Sequence, residues 1–585
     1  MAGKLYSKSY DPSNKTFMSP ELRKSPPEPL APTLFDIARP FETTLDNGLR
    51  VVIFEDGRLP LVSFRLAFYH GDANDPEGKT GLTSAMASML SEGTRDYTSL
   101  QLAEKIERLG AGVSARASDD FTILAASSLS LYASEILGLL AEVVLRPTFP
   151  ETELDLYRRN TIEHLKFQRS QPPFLAGEQA ARLIYGEHPY ATVTPSAADV
   201  ETLKRDELLR FHAETFLPNN AIFIAVGAVD RDELLTELEA AFGGWEKGLV
   251  PTPGFPDPPK RDVRSITIVD RAGSAQSNIV IAGLGVKRND PDYFPLLVMN
   301  QVLGAGASSR VFMNLREEKG YTYGAYTRLE TKMLAGSFEA TAEVRSAVTG
   351  DSLKEFFYEL DRIRVDIVDN QEMADAKNFL TGVFPIRAET QEGLTNLIVN
   401  QHLYGLPEDY LQTYRDKINA VTANEVLRAA QKHVRPDEAA IIIVGDAEEI
   451  LSQVNGYADD IEIFDTEGNR QAMEKYSKSS VESDAQVSGK WELKINFQGQ
   501  QLPVTLELLQ TGADVTGKLN TMLGDGEIAD GRISGNKLTA TANAQMQGKG
   551  MEFIIDGKVD GDSISGTITA PIAADAIAFS GQRNG

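Results

Sequence analysis

The chain has no cysteine in its 585 residues. That excludes disulfides, thiolate nucleophiles and Cys-ligated metals, and it fits any redox compartment. Histidine is also scarce. The six are His70, His164, His188, His212, His402 and His433, and no two share ligand spacing on one predicted helix, so a metal held by a His pair is not expected. Positive charge is short as well. There are 58 Lys and Arg against 84 Asp and Glu, a net charge of -26. A face basic enough for nucleic acid is not expected, nor is attraction to an anionic membrane surface. No apolar run approaches the roughly 20 residues of a membrane-spanning helix.

What is present is ordinary soluble chemistry at unusual length. The hydrophobic fraction is 42%, and a chain this long is expected to form three or four domains. Residues 1–40 are polar and Pro-rich (Ser25-Pro26-Pro27-Glu28-Pro29-Leu30-Ala31-Pro32) and read as an extended arm. The arm has no apolar signal core. Such an arm often follows a removed export signal, which points to a bacterial extracytoplasmic protein.

The sequence repeats itself. Leu217-Pro218-Asn219-Asn220 followed by Ala221-Ile222-Phe223-Ile224-Ala225-Val226-Gly227 closes a helix and opens a buried strand. Arg435-Pro436-Asp437-Glu438 followed by Ala439-Ala440-Ile441-Ile442-Ile443-Val444-Gly445 does the same, with Gly445 standing 218 positions after Gly227. Leu203 to His212 also matches Val421 to Ala430. Asn74-Asp75-Pro76 recurs as Asn289-Asp290-Pro291, 215 positions on. Nearly equal offsets at opposite ends of the unit imply one duplicated domain of about 200 residues.

Within the first half, Thr43 to Glu55 and Leu61 to Tyr69 read as strands joined by a turn at Asp56-Gly57. Leu100 to Leu109, Ala133 to Leu145 and Glu151 to Gln168 read as helices. Asp119-Asp120 reads as a solvated turn. From Gly489 on, the helical period vanishes, and Trp491 to Phe497 alternates as a half-buried strand does. Turns are expected at Gln498-Gly499-Gln500, Gly512-Ala513-Asp514, Gly524-Asp525-Gly526, Ser534-Gly535-Asn536 and Asp560-Gly561-Asp562. Trp491 is one of few large aromatics there. A glycan, a lipid, a partner or a spacer role all remain open for this tail.

The fold class is α+β. The expected order is an arm over 1–40, a first α/β domain over 41–250, a Pro-rich linker over 251–263 and a homologous α/β domain over 264–465. A linker over 466–487 and an all-β barrel or sandwich over 488–585 complete it.

Leu45-Asp46-Asn47-Gly48-Leu49-Arg50-Val51-Val52-Ile53 resembles the opening strand of the M16 (pitrilysin, insulinase, mitochondrial processing peptidase) family. His188-Pro189-Tyr190 and Tyr404-Gly405-Leu406-Pro407-Glu408-Asp409-Tyr410 are similar to its recurring segments. Gly81 to Thr94 is similar to its zinc helix in all but the ligands. The resemblance spans roughly residues 41–465. A zinc helix of this kind reads His-x-x-Glu-His, with two imidazoles one turn apart on the metal and a Glu activating water. Here those positions hold Ser84, Ala87 and Ser88. The resemblance puts a third ligand, a Glu, some 75 residues downstream, near Glu163. Glu163 is a remnant of that ligand or simply a solvated helix residue. Ser84 and Ser88 have no visible base beside them and are not expected to act as nucleophiles.

Leu315-Arg316-Glu317-Glu318-Lys319-Gly320-Tyr321-Thr322-Tyr323 reads as a helix end, a Gly stop and a strand, and is similar to the family's Arg/Tyr motif. The resemblance implies that Arg316 and Tyr323 contact the substrate backbone, as strong donors suited to a carbonyl oxygen gaining charge. The plainer alternative pairs Arg316 with a helix carboxylate and packs Tyr323 in the sheet. Leu303-Gly304-Ala305-Gly306-Ala307-Ser308-Ser309-Arg310 lacks the Gly-Lys-Ser/Thr ending of a phosphate loop and reads as a flexible loop beside the substrate chamber.

In the family, some chains keep Arg/Tyr and lose zinc. The resemblance therefore implies a non-catalytic, M16B-type subunit that binds peptide and completes the site of a partner carrying His-x-x-Glu-His, with zinc in that partner. A silent assembly protein, or a hydrolase of unrelated chemistry, are the alternatives.

Overall fold

The computed structural model describes residues 37–250, 254–476, 485–497, 500–521, 524–546, 549–569 and 576–584. Most of the N-terminal arm, the start of the Pro-rich linker and residues 477–484 of the second linker lie outside these residues. So do two of the three residues of the turn expected at 498–500. The chain divides into two compact units, one ending at Arg470 and the other beginning at Gln471.

The first unit holds two sheets of matching design. In the first half the strands are β1 (Phe41–Thr44), β2 (Arg50–Glu55), β3 (Leu61–Phe68), β4 (Gly112–Ala117), β5 (Thr122–Leu129) and β6 (Ala221–Gly227), ordered β1-β2-β6-β3-β5-β4. β2 and β6 are parallel and the other neighbours antiparallel. The single strand expected over Thr43 to Glu55 is in fact a hairpin. Asn47 Oδ1 accepts the Leu49 N–H at 3.1 Å and Gly48 adopts φ +89°. A Cβ at Gly48 would meet that of Asn219 at 2.8 Å, so the turn needs glycine twice over. β2 and β3 do not pair directly, because β6 lies between them.

The second half repeats the plan with β7 (Ser265–Asp270), β8 (Gln276–Leu284), β9 (Thr322–Thr331), β10 (Gly336–Arg345), β11 (Ala440–Gly445) and β12 (Asp460–Phe464). They run β12-β7-β11-β8-β10-β9. Here β7 and β11 are the parallel pair, as β2 and β6 are. The strand flanking this pair differs: β12 is parallel to β7, whereas β1 is antiparallel to β2.

Each sheet buries one face under helices of its own half and the other under helices of the opposite half. Leu49, Val51, Phe64, Leu66 and Phe223 pack on first-half helices that include Leu82–Met89 and Ala133–Leu145. The opposite face, Val52, Ala67, Ile222, Ile224 and Val226, is covered by Leu394, Ile398 and Leu403 of the second-half helix Gln391–Leu403. In return, Leu175, Ala176 and Ile184 of the first-half helix Pro172–Tyr185 cover Val280, Ala282, Ile442 and Val444. Each Val, Leu, Ile or Phe among them contributes roughly 1.5–3 kcal/mol when fully buried. This exchange explains why β6 and β11 are apolar at every position: both faces of each are dry.

Polar clasps join the halves. The Asp119-Asp120 turn is not solvated as expected. Lys332 lies 2.7 Å from Asp119, the Met333 N–H donates to Asp120 at 3.0 Å, and the Tyr190 hydroxyl also donates to Asp120 while accepting the Leu334 N–H at 3.2 Å. The turn between β9 and β10 thus docks on this acidic pair, and Asp120 is buried.

The second unit is a closed barrel of eight antiparallel strands, from Gly489–Phe497 to Ile577–Asn584, with the first paired to the last. Closure leaves no edge strand. Trp491, Leu506, Val515, Ile533, Ile555 and Phe579 fill its core. Turns fall at 512–513, 535–536 and 561–562 as expected, but Gly524-Asp525-Gly526 begins a strand, Gly524–Ser534. Trp491 is fully buried, donates to the Val487 carbonyl at 2.8 Å and lies under the Arg583 guanidinium at 4.6 Å. It is a core residue and not a surface platform.

Candidate functional site

The helix Leu82–Met89 carries the positions where zinc ligands were sought. Two carboxylates occupy its N-terminus. Asp75 accepts the N–H groups of Gly81, Leu82 and Thr83 at 2.6–3.2 Å. Asp72 accepts the Ser84 N–H at 3.0 Å and the Ser84 hydroxyl at 2.8 Å. Free N–H groups and the helix dipole favour negative charge there. Burial opposes it, raising the Asp75 carboxyl and pushing Asp72 up to about 7. Ser88 donates to the Ser84 carbonyl at 2.8 Å, and Ala87 is in the core.

Ser84, Asp72 and Asp75 line a cavity of about 380 Å³ together with Asp119, Tyr157 and His164. Glu163 is not among its walls. It faces solvent, 72% exposed, 2.7 Å from Lys166 on its own helix, Glu151–Arg169. Adjacent helical residues point about 100° apart, so only one of Glu163 and His164 can face the helix of Ser84, and that one is His164. Ser84, Ala87 and Ser88 supply no imidazole, so the residues present do not fit the zinc site of His-x-x-Glu-His.

Arg316 and Tyr323 lie elsewhere, and neither lines that cavity. After Arg310–Phe312 the helix widens over Met313–Glu318, where the Lys319 N–H reaches back five residues to the Asn314 carbonyl at 3.0 Å. Such π turns recur at functional sites. Gly320, at φ +63°, ends the helix. Arg316 is half-exposed, 3.5 Å from Glu317, with its guanidinium 4.8 Å over the Phe312 ring. In β9 the pairing with β10 slips between Ala342 and Val344, so Tyr323 and Gly324 together oppose Glu343. A bulge of this kind re-aims a side chain, and Tyr323 is 90% exposed. Packing within the sheet, the plainer expectation for Tyr323, does not occur. A carboxylate beside Arg316 does, in Glu317.

The Leu303–Arg310 loop is fixed at both ends. The Thr327 N–H of β9 donates to the Gly304 carbonyl at 2.9 Å, and buried Arg310 makes two 2.7 Å hydrogen bonds to Glu372. The structure also gathers Asp290, Asp292 and His433, whose ligand atoms lie within 4.8 Å of one another. Asp292 is already met by Lys432 at 2.8 Å, His433 at 3.0 Å and Arg428 at 3.0 Å. The hydrogen bond from Lys432 leads in holding its carboxyl down at about 2. This is an ion-pair hub tying the helix after β8 to the helix Ala423–His433. The repeated Asn-Asp-Pro motif was its one sequence signal.

Two tandem sheets with exchanged helices and a Ser-Ala-Ser helix in the first half define the class: a duplicated peptidase-like α+β chain. Residues 50–191 match insulinase (peptidase family M16), and residues 202–380 match the peptidase M16 inactive domain. An uncharacterized zinc protease of Streptomyces coelicolor is 24% identical over 408 residues, 69% of this chain and 89% of the relative. The non-peptidase homolog YmxG of Helicobacter pylori is 23% identical over 406 residues, covering 68% and 91%. A solved peptidase M16 inactive domain from Pseudomonas fluorescens superposes with TM-score 0.66 at 26% identity, covering 70% of this chain and 98% of its own. The chain belongs to the M16 peptidase family.

Proposed function

We propose that this chain is a non-catalytic, substrate-binding subunit of a heteromeric M16B-type zinc metallopeptidase. It supplies Arg316 and Tyr323 to the active site of a partner that carries His-x-x-Glu-His and the zinc. The observation that carries this reading is Tyr323, held 90% exposed by a bulge seven positions after half-exposed Arg316, in a chain with Ser84, Ala87 and Ser88 on its zinc helix. Guanidinium and phenol are the donors a peptide carbonyl needs as charge develops. β9 is the outermost strand of its sheet, so an extended peptide can add alongside it. The name of the Helicobacter pylori relative, a non-peptidase homolog, agrees with a chain that does not cleave alone. An extracytoplasmic location in a bacterium belongs to the same reading.

The test is reconstitution with an M16 chain bearing His-x-x-Glu-His from the same host. The isolated chain is expected to hydrolyse no peptide, and the pair to do so. Arg316→Ala or Tyr323→Phe is expected to lower kcat/KM of the pair by at least about tenfold, near 1.4 kcal/mol. Activity within about twofold in both variants would show that the chain serves only as a silent assembly subunit.

A further inference from the structure

Three contacts connect Arg316 to the bulge that presents Tyr323. The Arg316 guanidinium lies 4.8 Å over the Phe312 ring. The Phe312 ring stands 5.6 Å from that of Tyr326, inclined at 50°. The Tyr326 ring folds over Gly324, the residue next to Tyr323: a Cβ on Gly324 would sit 2.7 Å from Tyr326 Cε2 and 2.9 Å from its hydroxyl oxygen. Phe312 is buried and Tyr326 is 46% exposed, so this pair of rings is anchored in the core on one side and open on the other. We infer that Phe312 and Tyr326 form one aromatic cradle that holds the Arg316 guanidinium beside β9, which makes Tyr326 a positioning residue for the Arg316/Tyr323 pair.

The inference rests on the peptide-contacting role proposed for that pair. An arginine on a helix end has long, freely rotating bonds, and binding through it is weakened by the freedom it must give up. Stacking on a ring removes part of that freedom beforehand. Among the described residues Arg316 has one ion-pair partner, Glu317, which is half-exposed and 3.5 Å away, too weak a contact to fix the guanidinium. Gly324 belongs to the device because any side chain there would displace the Tyr326 ring. Its small size lets the ring reach Phe312.

The experiment uses the full chain immobilised and equilibrated with a tryptic digest of casein, the retained peptides being counted by mass spectrometry. Tyr326→Ala is expected to lower retention about fivefold, Tyr326→Phe to restore it, and Gly324→Ala to lower it as Tyr326→Ala does. In an Arg316→Ala background, Tyr326→Ala is expected to cause no further loss. The inference is overturned if Tyr326→Ala and Gly324→Ala leave retention within twofold while Arg316→Ala lowers it. Equal losses from Tyr326→Ala with and without Arg316 also overturn it, because they show a merely structural role. If Arg316→Ala and Tyr323→Phe change nothing, or the unmodified chain retains no more than a blank bed, the failure lies in the peptide-binding reading itself.

Discussion

The guanidinium of Arg65 on β3 reaches both carboxylate oxygens of Glu392 at 2.6 Å, across 327 positions of sequence. Arg65 is buried and Glu392 is 60% exposed at its side chain. The second-half helix bearing Glu392 is thereby tied to the first-half sheet, and its neighbour Gln391 adds a hydrogen bond to the Val226 carbonyl at 3.0 Å.

The two ends of that pair are expected to respond unequally. Glu392→Ala leaves a buried guanidinium without its counter-charge and is expected to cost roughly 2 kcal/mol. Arg65→Met leaves only a solvated carboxylate and keeps the volume, so it is expected to cost about 1 kcal/mol or less. Urea midpoints of the first unit's transition measure both. Equal losses would mean that the pair is not what holds this helix.

The Tyr190 clasp makes a second case. Tyr190→Phe removes the donor to Asp120 and the acceptor for the Leu334 N–H in one step. Both groups are then left short of a partner in a buried place, at a cost of about 1–3 kcal/mol. Limited proteolysis near residues 332–335, where the docked turn comes free, is the readout. Unchanged cleavage there would argue that the turn is held by packing alone.

Three of the buried groups give a pH dependence whose sign can be worked out. Burial pushes His70 and His212 down to about 4 from 6.5. Each is neutral in the folded chain while its unfolded counterpart protonates, so stability is lost as pH falls from 6.5 towards 4. Asp72 works in the opposite sense. Burial lifts it to about 7 from 3.8, so its contribution is present below 3.8 and lost as pH rises through 7. Near pH 5 the unfolded chain holds two protons on the histidines and the folded chain one on Asp72, so these three groups give a net slope of about 1.4 kcal/mol per pH unit. Asp72→Asn keeps an acceptor for the Ser84 N–H and removes the buried charge. It is expected to stabilise the fold at pH 8 by roughly 2–4 kcal/mol and to steepen the acid loss. Denaturant titrations at pH 4.5, 6 and 8 check this, and a variant less stable than the parent at pH 8 would refute it.

Much of this was legible in the residues. The matched runs Ala221 to Gly227 and Ala440 to Gly445 marked the duplication, and they are the equivalent strands β6 and β11. Loss of helical period after Gly489 marked the all-β tail. Gly320 marked the stop between Arg316 and Tyr323. What escaped were features set by distant partners. Asp119-Asp120 has the composition of a solvated turn, yet Asp120 is buried beneath distant partners that include Met333, 213 positions away. The choice between Glu163 and His164 is a matter of helix phase, and phase is fixed by what the helix packs against.

The sequence alone determined the duplication, the all-β tail and the missing imidazoles, because apolar period, turn residues and side-chain identity are local properties of the chain. Tertiary structure alone decided that the halves trade helices, that Asp72 and Asp75 occupy the helix terminus, and that a bulge turns Tyr323 outward. Those depend on contacts between residues hundreds of positions apart and on backbone register, and no local pattern specifies either.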